Sequence, residues 1–221
     1  MITCQCPAAT TLPDSPVVTC SERFGQIQKV IFQRIWKTVT SGGTTTTSKN
    51  SIPDGSSANQ AGKYTTWTGL KAKTSSDTDK DAKITVTPFV EEPTDDGGDA
   101  RTVGGGNASL NGIETIIGSN PINFSCKMNN VPQDVVATLK SLMCECMGNN
   151  LGVYLINEQG LIEGIKDSGS WYPIPIQKLF IGDKHHGGLE GNDYNDLQFA
   201  FAPDYSDKLD ILTLDESALS L

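Results

Sequence analysis

The sequence predicts a mainly β protein, an antiparallel β-sandwich or open barrel with one flanking α-helix and long loop and arm extensions. Three observations predict it. Short runs rich in β-branched and aromatic residues recur from residue 24 to residue 214, separated by Gly, Asn and Pro turns. One segment, 132–147, carries a clear helical stripe. Glycine supplies 22 of 221 residues, above the usual level of about 7%, as expected of a loop-rich chain.

Taken in order, residues 1–22 are rich in Cys, Pro and Thr, have no period, and read as an extended arm preceding a domain over 23–221. Phe24 to Val39 reads as a strand with apolar residues on both faces. Ile27, Ile31 and Ile35 also fit four-residue spacing, so a helix is the alternative, and β-branching favours the strand. Residues 40–83 are dominated by Ser, Thr, Gly, Asn and Lys and read as a long loop in which only Tyr64 to Leu70 has β character. That loop is either a disordered insertion or a segment that orders against another subunit, with Trp67 as anchor; docking is preferred, with protease resistance gained only on assembly.

Lys83 to Val90 alternates as a half-buried strand whose Pro88 end is an edge or a bulge. Glu91 to Gly98 reads as a polar turn, Arg101 to Val103 as a short strand, and Gly104 to Gly106 as a flexible loop. Leu110 to Ile117 and Pro121 to Met128 read as strands joined by the turn Gly118 to Pro121. In the helix, Pro132 fits the first position, Asn130 the cap and Gly148 the stop. Val135, Leu139, Leu142 and Cys146 form its stripe. Leu151 to Ile156 and Leu161 to Lys166 make a hairpin about Asn157 to Gly160. Trp171 to Ile181 is a strand broken by Pro173 and Pro175, and Leu197 to Phe201 and Lys208 to Leu214 complete a meander.

Charge and motif exclude several classes. No run of about 18 apolar residues is present. The first residues lack the basic and apolar regions of a secretory signal, so reduced thiols are expected at Cys4, Cys6, Cys20, Cys126, Cys144 and Cys146. A zinc shared by the Cys4/Cys6 and Cys144/Cys146 pairs is disfavoured, because residues two apart on a helix point apart. The net charge is −9, and residues 131–221 carry all of it, with five Lys/Arg against fourteen Asp/Glu. Such a surface does not grip nucleic acid, but suits a passage to which DNA must not stick; keeping the free protein soluble explains it equally well.

Asp77, Asp79 and Asp81 resemble the start of a calcium loop, but Ala82 and Pro88 stand where Gly and Glu are needed, so a solvated acidic loop is expected. His185 and His186 fall in a turn without a nucleophile nearby. Glu158, Glu163, Asp183 and Asp193 are the carboxylates a hydrolase would have to use. Trp67, Trp171, Tyr172 and Tyr194 are the platform a carbohydrate-binding or decoration module would use. No catalytic, cofactor-binding or metal-ligating residue is assigned, no cofactor is expected, and the chain is read as not an enzyme.

The stretch from Phe124 to Gln133, through the helix to Leu151–Gly160, then Ile174–Asp183 and Gly187–Gly191, resembles structural proteins of tailed bacteriophages. The likeness is to the tail tube (major tail) proteins of phages infecting Bacteroidetes, over about residues 110–215. It implies a β-sandwich with one helix, self-associating as hexameric rings that stack into a tube passing DNA without specific binding. It also implies other tail proteins as partners, no membrane contact, and a place in the virion after assembly in the host cytoplasm. Residues 1–22 and 40–83 are the arms expected to bridge rings.

Overall fold

Residues 24–41, 44–54, 60–108, 112–188 and 191–221 are described by the computed structural model. The fold is mainly β, and two neighbouring strands show how it is layered. Strand β1 (Ile27–Arg34) pairs antiparallel with β10 (Leu151–Asn157) along its whole length. Alternate residues of each strand enter different apolar clusters. Val30, Phe32, Val153 and Leu155 face one cluster; Ile31, Tyr154 and Ile156 face the other. A strand buried on both faces carries no polar side, which is why the β1 segment shows apolar residues at both parities.

β10 is also where the sheet branches. Its other edge pairs with β13 (Ile174–His185) at Gly152–Val153 and with β11 (Ile162–Asp167) at Leu155–Ile156. From β13 the ladder runs to β14 (Tyr194–Phe201), β9 (Ile122–Asn129) and β6 (Glu91–Gly97), all antiparallel. This second layer folds over the first, and between them Phe124 stacks on Phe199, which meets Phe201 edge-on. On the other branch, β11 pairs with β12 (Ser170–Tyr172) and β15 (Leu209–Leu212), and β12 with β4 (Ile52–Pro53). Among the described residues β5 (Ile84–Val86) pairs only with β1, an edge as Pro88 implied.

Helix α2 (Gln133–Met147) buries Val136, Leu139 and Cys146 in the first cluster, where it lies against β13. It begins one residue later than expected. Pro132 is the cap residue and no side chain caps the helix; Asn130, at φ +52°, donates its N–H to the Asp193 carbonyl.

Tyr64 to Leu70 is not a strand. Tyr64–Ala72 forms a second helix, α1. Its Thr and aromatic content disfavours a helix locally, and its cap comes from afar. Asp215 accepts the Tyr64 N–H (2.7 Å) and pairs with Lys63 (3.1 Å), while Lys71 in the last turn donates to the Leu221 carbonyl. Trp67 is the anchor, but within its own chain. It is fully buried, donates Nε1–H to the Ala61 carbonyl (2.8 Å) and meets Tyr154 edge-on at 5.0 Å. This corrects the expectation that Trp67 docks on another subunit. The part of the 40–83 loop beyond residue 60 closes the second cluster of the same molecule.

Other differences are local. Glu91–Gly97 is an edge strand rather than a turn, and its residues are mostly exposed. The two strands flanking Gly118–Pro121 do not pair with each other. β8 (Glu114–Ser119) pairs with β7 (Ala100–Gly104), whereas β9 pairs with β6 and β14. The Phe24–Val39 strand is broken at Ile35, beyond which β2 (Trp36–Ser41) forms its own ribbon with β3 (Thr44–Lys49). The arm at 1–22, with Cys4, Cys6 and Cys20, lies outside the described residues.

Candidate assembly surface

The structure scatters the candidate carboxylates. Glu158 accepts the Gln26 N–H, Asp183 pairs with Lys140, and Asp193 accepts the Gly187 N–H (3.2 Å) and lies near His186 (3.5 Å). Glu163 has a different neighbour. It stands opposite Leu155 on the inner face of its layer, and Asp95, opposite Phe124, points inward from the layer above. Burial and then Asp95 raise the Glu163 carboxyl above the usual range, and burial raises Asp95. Asp95 is exposed as a residue because β6 is an edge, yet its inward carboxyl loses solvent. Tyr205, stacked on Phe201 at 4.2 Å, closes the same corner.

The aromatic platform is likewise absent as a surface. Trp67 and Trp171 are both core residues, 0% and 1% exposed. His185 stacks on Tyr194 at 4.8 Å and lies 3.4 Å from Asp196, at the end of β13. Asp81, expected in a solvated loop, instead pairs with Arg34, as Glu145 does through two bonds (3.0 and 2.5 Å). The Glu145 hydrogen bonds, ahead of those to Asp81, raise the Arg34 guanidinium further. These residues line a cleft of about 530 Å³ between β1, α2 and the segment before β5. Among the described residues no group of three or more His, Cys, Asp or Glu side chains is placed to hold a metal ion. No described helix is long and apolar enough to cross a membrane.

What the surface does display is a projecting ribbon. Gly97 stands opposite Ile122 and Ala100 opposite Ser119, with the Asn120 N–H bonded to the Asp99 carbonyl (2.9 Å) between them. The β6–β9 and β7–β8 ladders are therefore one hairpin in continuous register. Its proximal half is held by β14; its distal half pairs with nothing else among the described residues. At the junction Gly97 has φ +106°, and a Cβ there would sit 2.5 Å from the Pro121 carbonyl oxygen. Only glycine allows that bend.

The distal half carries apolar side chains on both faces. Ile116 pairs with Thr102 and Val103 with Thr115, so they point to opposite sides, at 68% and 56% exposed. Ile117, at the bulge, is 52% exposed. A two-stranded ribbon has marginal stability alone in water, and these side chains give it something to bury. The β2–β3 ribbon is similar in kind, with Trp36 exposed beneath Lys49, whose ammonium lies 5.6 Å from the ring centre. Its base is fixed by Asn150, which accepts the Trp36 N–H (2.7 Å), and by Asp81, which accepts the Thr38 N–H (3.0 Å).

No protein-family model and no curated protein matches the chain. Among solved structures, a chain of "Tail of empty GTA particle computed with helical refinement, C6 symmetry" is similar at 15% identity and a TM-score of 0.30, over 57% of this chain and 88% of that one. A likeness at that TM-score bears no weight for this chain's function.

Proposed function

We propose that this chain is a structural protein of a tailed-phage virion, a tail tube subunit of the kind its sequence resembles. Copies associate into hexameric rings, and the rings stack into a conduit for DNA. The role is non-enzymatic and needs no cofactor. The observation that carries this reading is the β7–β8 ribbon, with apolar residues on both faces, an anchored base and no further strand partner among the described residues, which would gain stability by lying against another molecule. The occupant of that contact is a second copy, so each subunit supplies one arm to a neighbour. The acidic excess of residues 131–221 suits a channel wall that DNA must slide past, since duplex DNA carries about one negative charge per 1.7 Å.

Two findings weigh against the alternatives. A carbohydrate-binding or decoration module loses its platform with Trp67 and Trp171 in the core. A hydrolase loses its paired acids, because Glu158, Asp183 and Asp193 are each engaged in separate places. The test is electron microscopy of the purified full chain at rising concentration. Six-fold rings or stacked tubes are expected. A monomer at every concentration and salt condition would overturn the proposal.

A further inference from the structure

Five strands of the first layer lie side by side in the order β5, β1, β10, β11, β15. Among the described residues both outer strands have a single ladder partner, β1 for β5 and β11 for β15. At about 4.8 Å per step the two edges stand roughly 19 Å apart and face opposite ways. An unpaired edge is a ready template for another strand. The edges differ in charge. Residues 80–90, which lead into and form β5, carry two Lys and one Asp, a net +1. Residues 204–216, which flank and form β15, carry five acids and one Lys, a net −4.

Pairing within the molecule sharpens this contrast. Of the charged groups lining the cleft beside β5, Arg34, Asp81 and Glu145 bind one another, leaving Lys80 and Lys83 without an ion-pair partner among the described residues. Near β15, Asp204, Asp207 and Glu216 are exposed and have no ion pair among the described residues, while Asp210 and Asp215 are held by Lys166 and Lys63.

We infer that these edges are the two halves of one head-to-tail contact, in which the β15 edge of one copy lies along the β5 edge of the next and its acids face Lys80 and Lys83. This rests on the self-association proposed above and adds a second contact between the copies that the ribbon joins, both being needed for the ring. Unlike patches on opposite sides of a subunit give a heterologous contact, which closes into a ring when the rotation per copy permits. A body of net charge −9 repels its copies generally, so the few unpaired lysines at one edge set the approach.

The test uses two full-length variants, Lys80→Glu/Lys83→Glu and Asp207→Lys/Glu216→Lys, each altered at exposed positions. Sedimentation velocity reads their assembly, and circular dichroism confirms their fold. Each variant alone is expected to associate at least tenfold more weakly than the unaltered chain. An equimolar mixture restores association, because each then meets its opposite at both edges. Either variant assembling like the unaltered chain overturns the edge contact and leaves self-association standing. An unaltered chain that never assembles removes both. Carbodiimide coupling of the unaltered assembly, which joins Lys to Asp or Glu, needs no variant. Products linking Lys80 or Lys83 to residues 204–216 support the contact, and intermolecular products confined to other sites overturn it.

Discussion

Replacing Trp67 by Ala tests whether the 60–83 segment belongs to its own molecule. Trp67 is fully buried, and its removal takes away the edge-on contact with Tyr154 and the hydrogen bond to the Ala61 carbonyl. Emptying such a site costs about 3–5 kcal/mol. In a chain of 221 residues each kcal/mol corresponds to about 2–4 °C in Tm, so the free subunit should melt about 6–20 °C lower. Thermal unfolding followed by circular dichroism, at concentrations where the subunit is monomeric, is the assay. Two milder variants isolate the hydrogen bond. Trp67→Phe leaves the Ala61 carbonyl without its donor, whereas Trp171→Phe removes an Nε1–H that has no partner among the described residues. The former should therefore cost more, by about 1 kcal/mol. A Tm for Trp67→Ala within about 2 °C of the unaltered chain, or a loss seen only in assembled protein, would refute the reasoning and return Trp67 to the role of a partner anchor.

Three further outcomes are expected. Gly97→Ala should destabilise the hairpin by about 1 kcal/mol or more and weaken assembly, since the new methyl meets the Pro121 carbonyl at φ +106°; hydrogen exchange over residues 91–127 checks this, and unchanged protection contradicts it. Glu163→Gln should raise Tm near pH 8 and leave it unchanged near pH 4. The folded carboxyl holds its proton to higher pH than the unfolded one, so stability is full below the unfolded pKa and is lost as pH rises through the folded value; equal effects at both pH values would count against the inward placement. Native alkylation mapped by mass spectrometry should label exposed Cys144 and spare Cys126 and Cys146, because burial raises both of their thiols, with Asp196 adding to the rise at Cys126. Labelling of Cys126 before unfolding would contradict its place in the core.

Much of the fold is legible in the residues because the responsible forces are local or periodic. Leu197, Phe199 and Phe201 alternate as β14 requires, and all three are buried. Glycine and asparagine mark the turn after β10, where the Asn157 side chain accepts the N–H groups of Gln159 (3.0 Å) and Leu161 (2.8 Å). The failures share a different cause, in that the deciding partner is remote in sequence. Helix α1 takes its cap from Asp215, 151 positions from Tyr64, so nothing around Thr65 or Thr66 announces a helix. β6 is an edge strand whose charged face needs no period, so an acidic run with Pro93 and two glycines resembles a turn. The Arg34 cluster draws on residues 47 and 111 positions away. For the assembly surface, Val103, Ile116 and Ile117 are visible as apolar residues, but only the ladder shows that they project beyond the sheet.

The most direct measurement compares the full chain with a variant in which Asp99–Ser119 is replaced by a short turn joining Gly98 to Asn120, leaving β6 and β9 intact. Sedimentation velocity of both, with electron microscopy of the same samples, should show rings or tubes for the full chain and a folded, monomeric subunit for the shortened one. Shortened protein that builds the same particles as the full chain would show that the ribbon is not what holds the copies together.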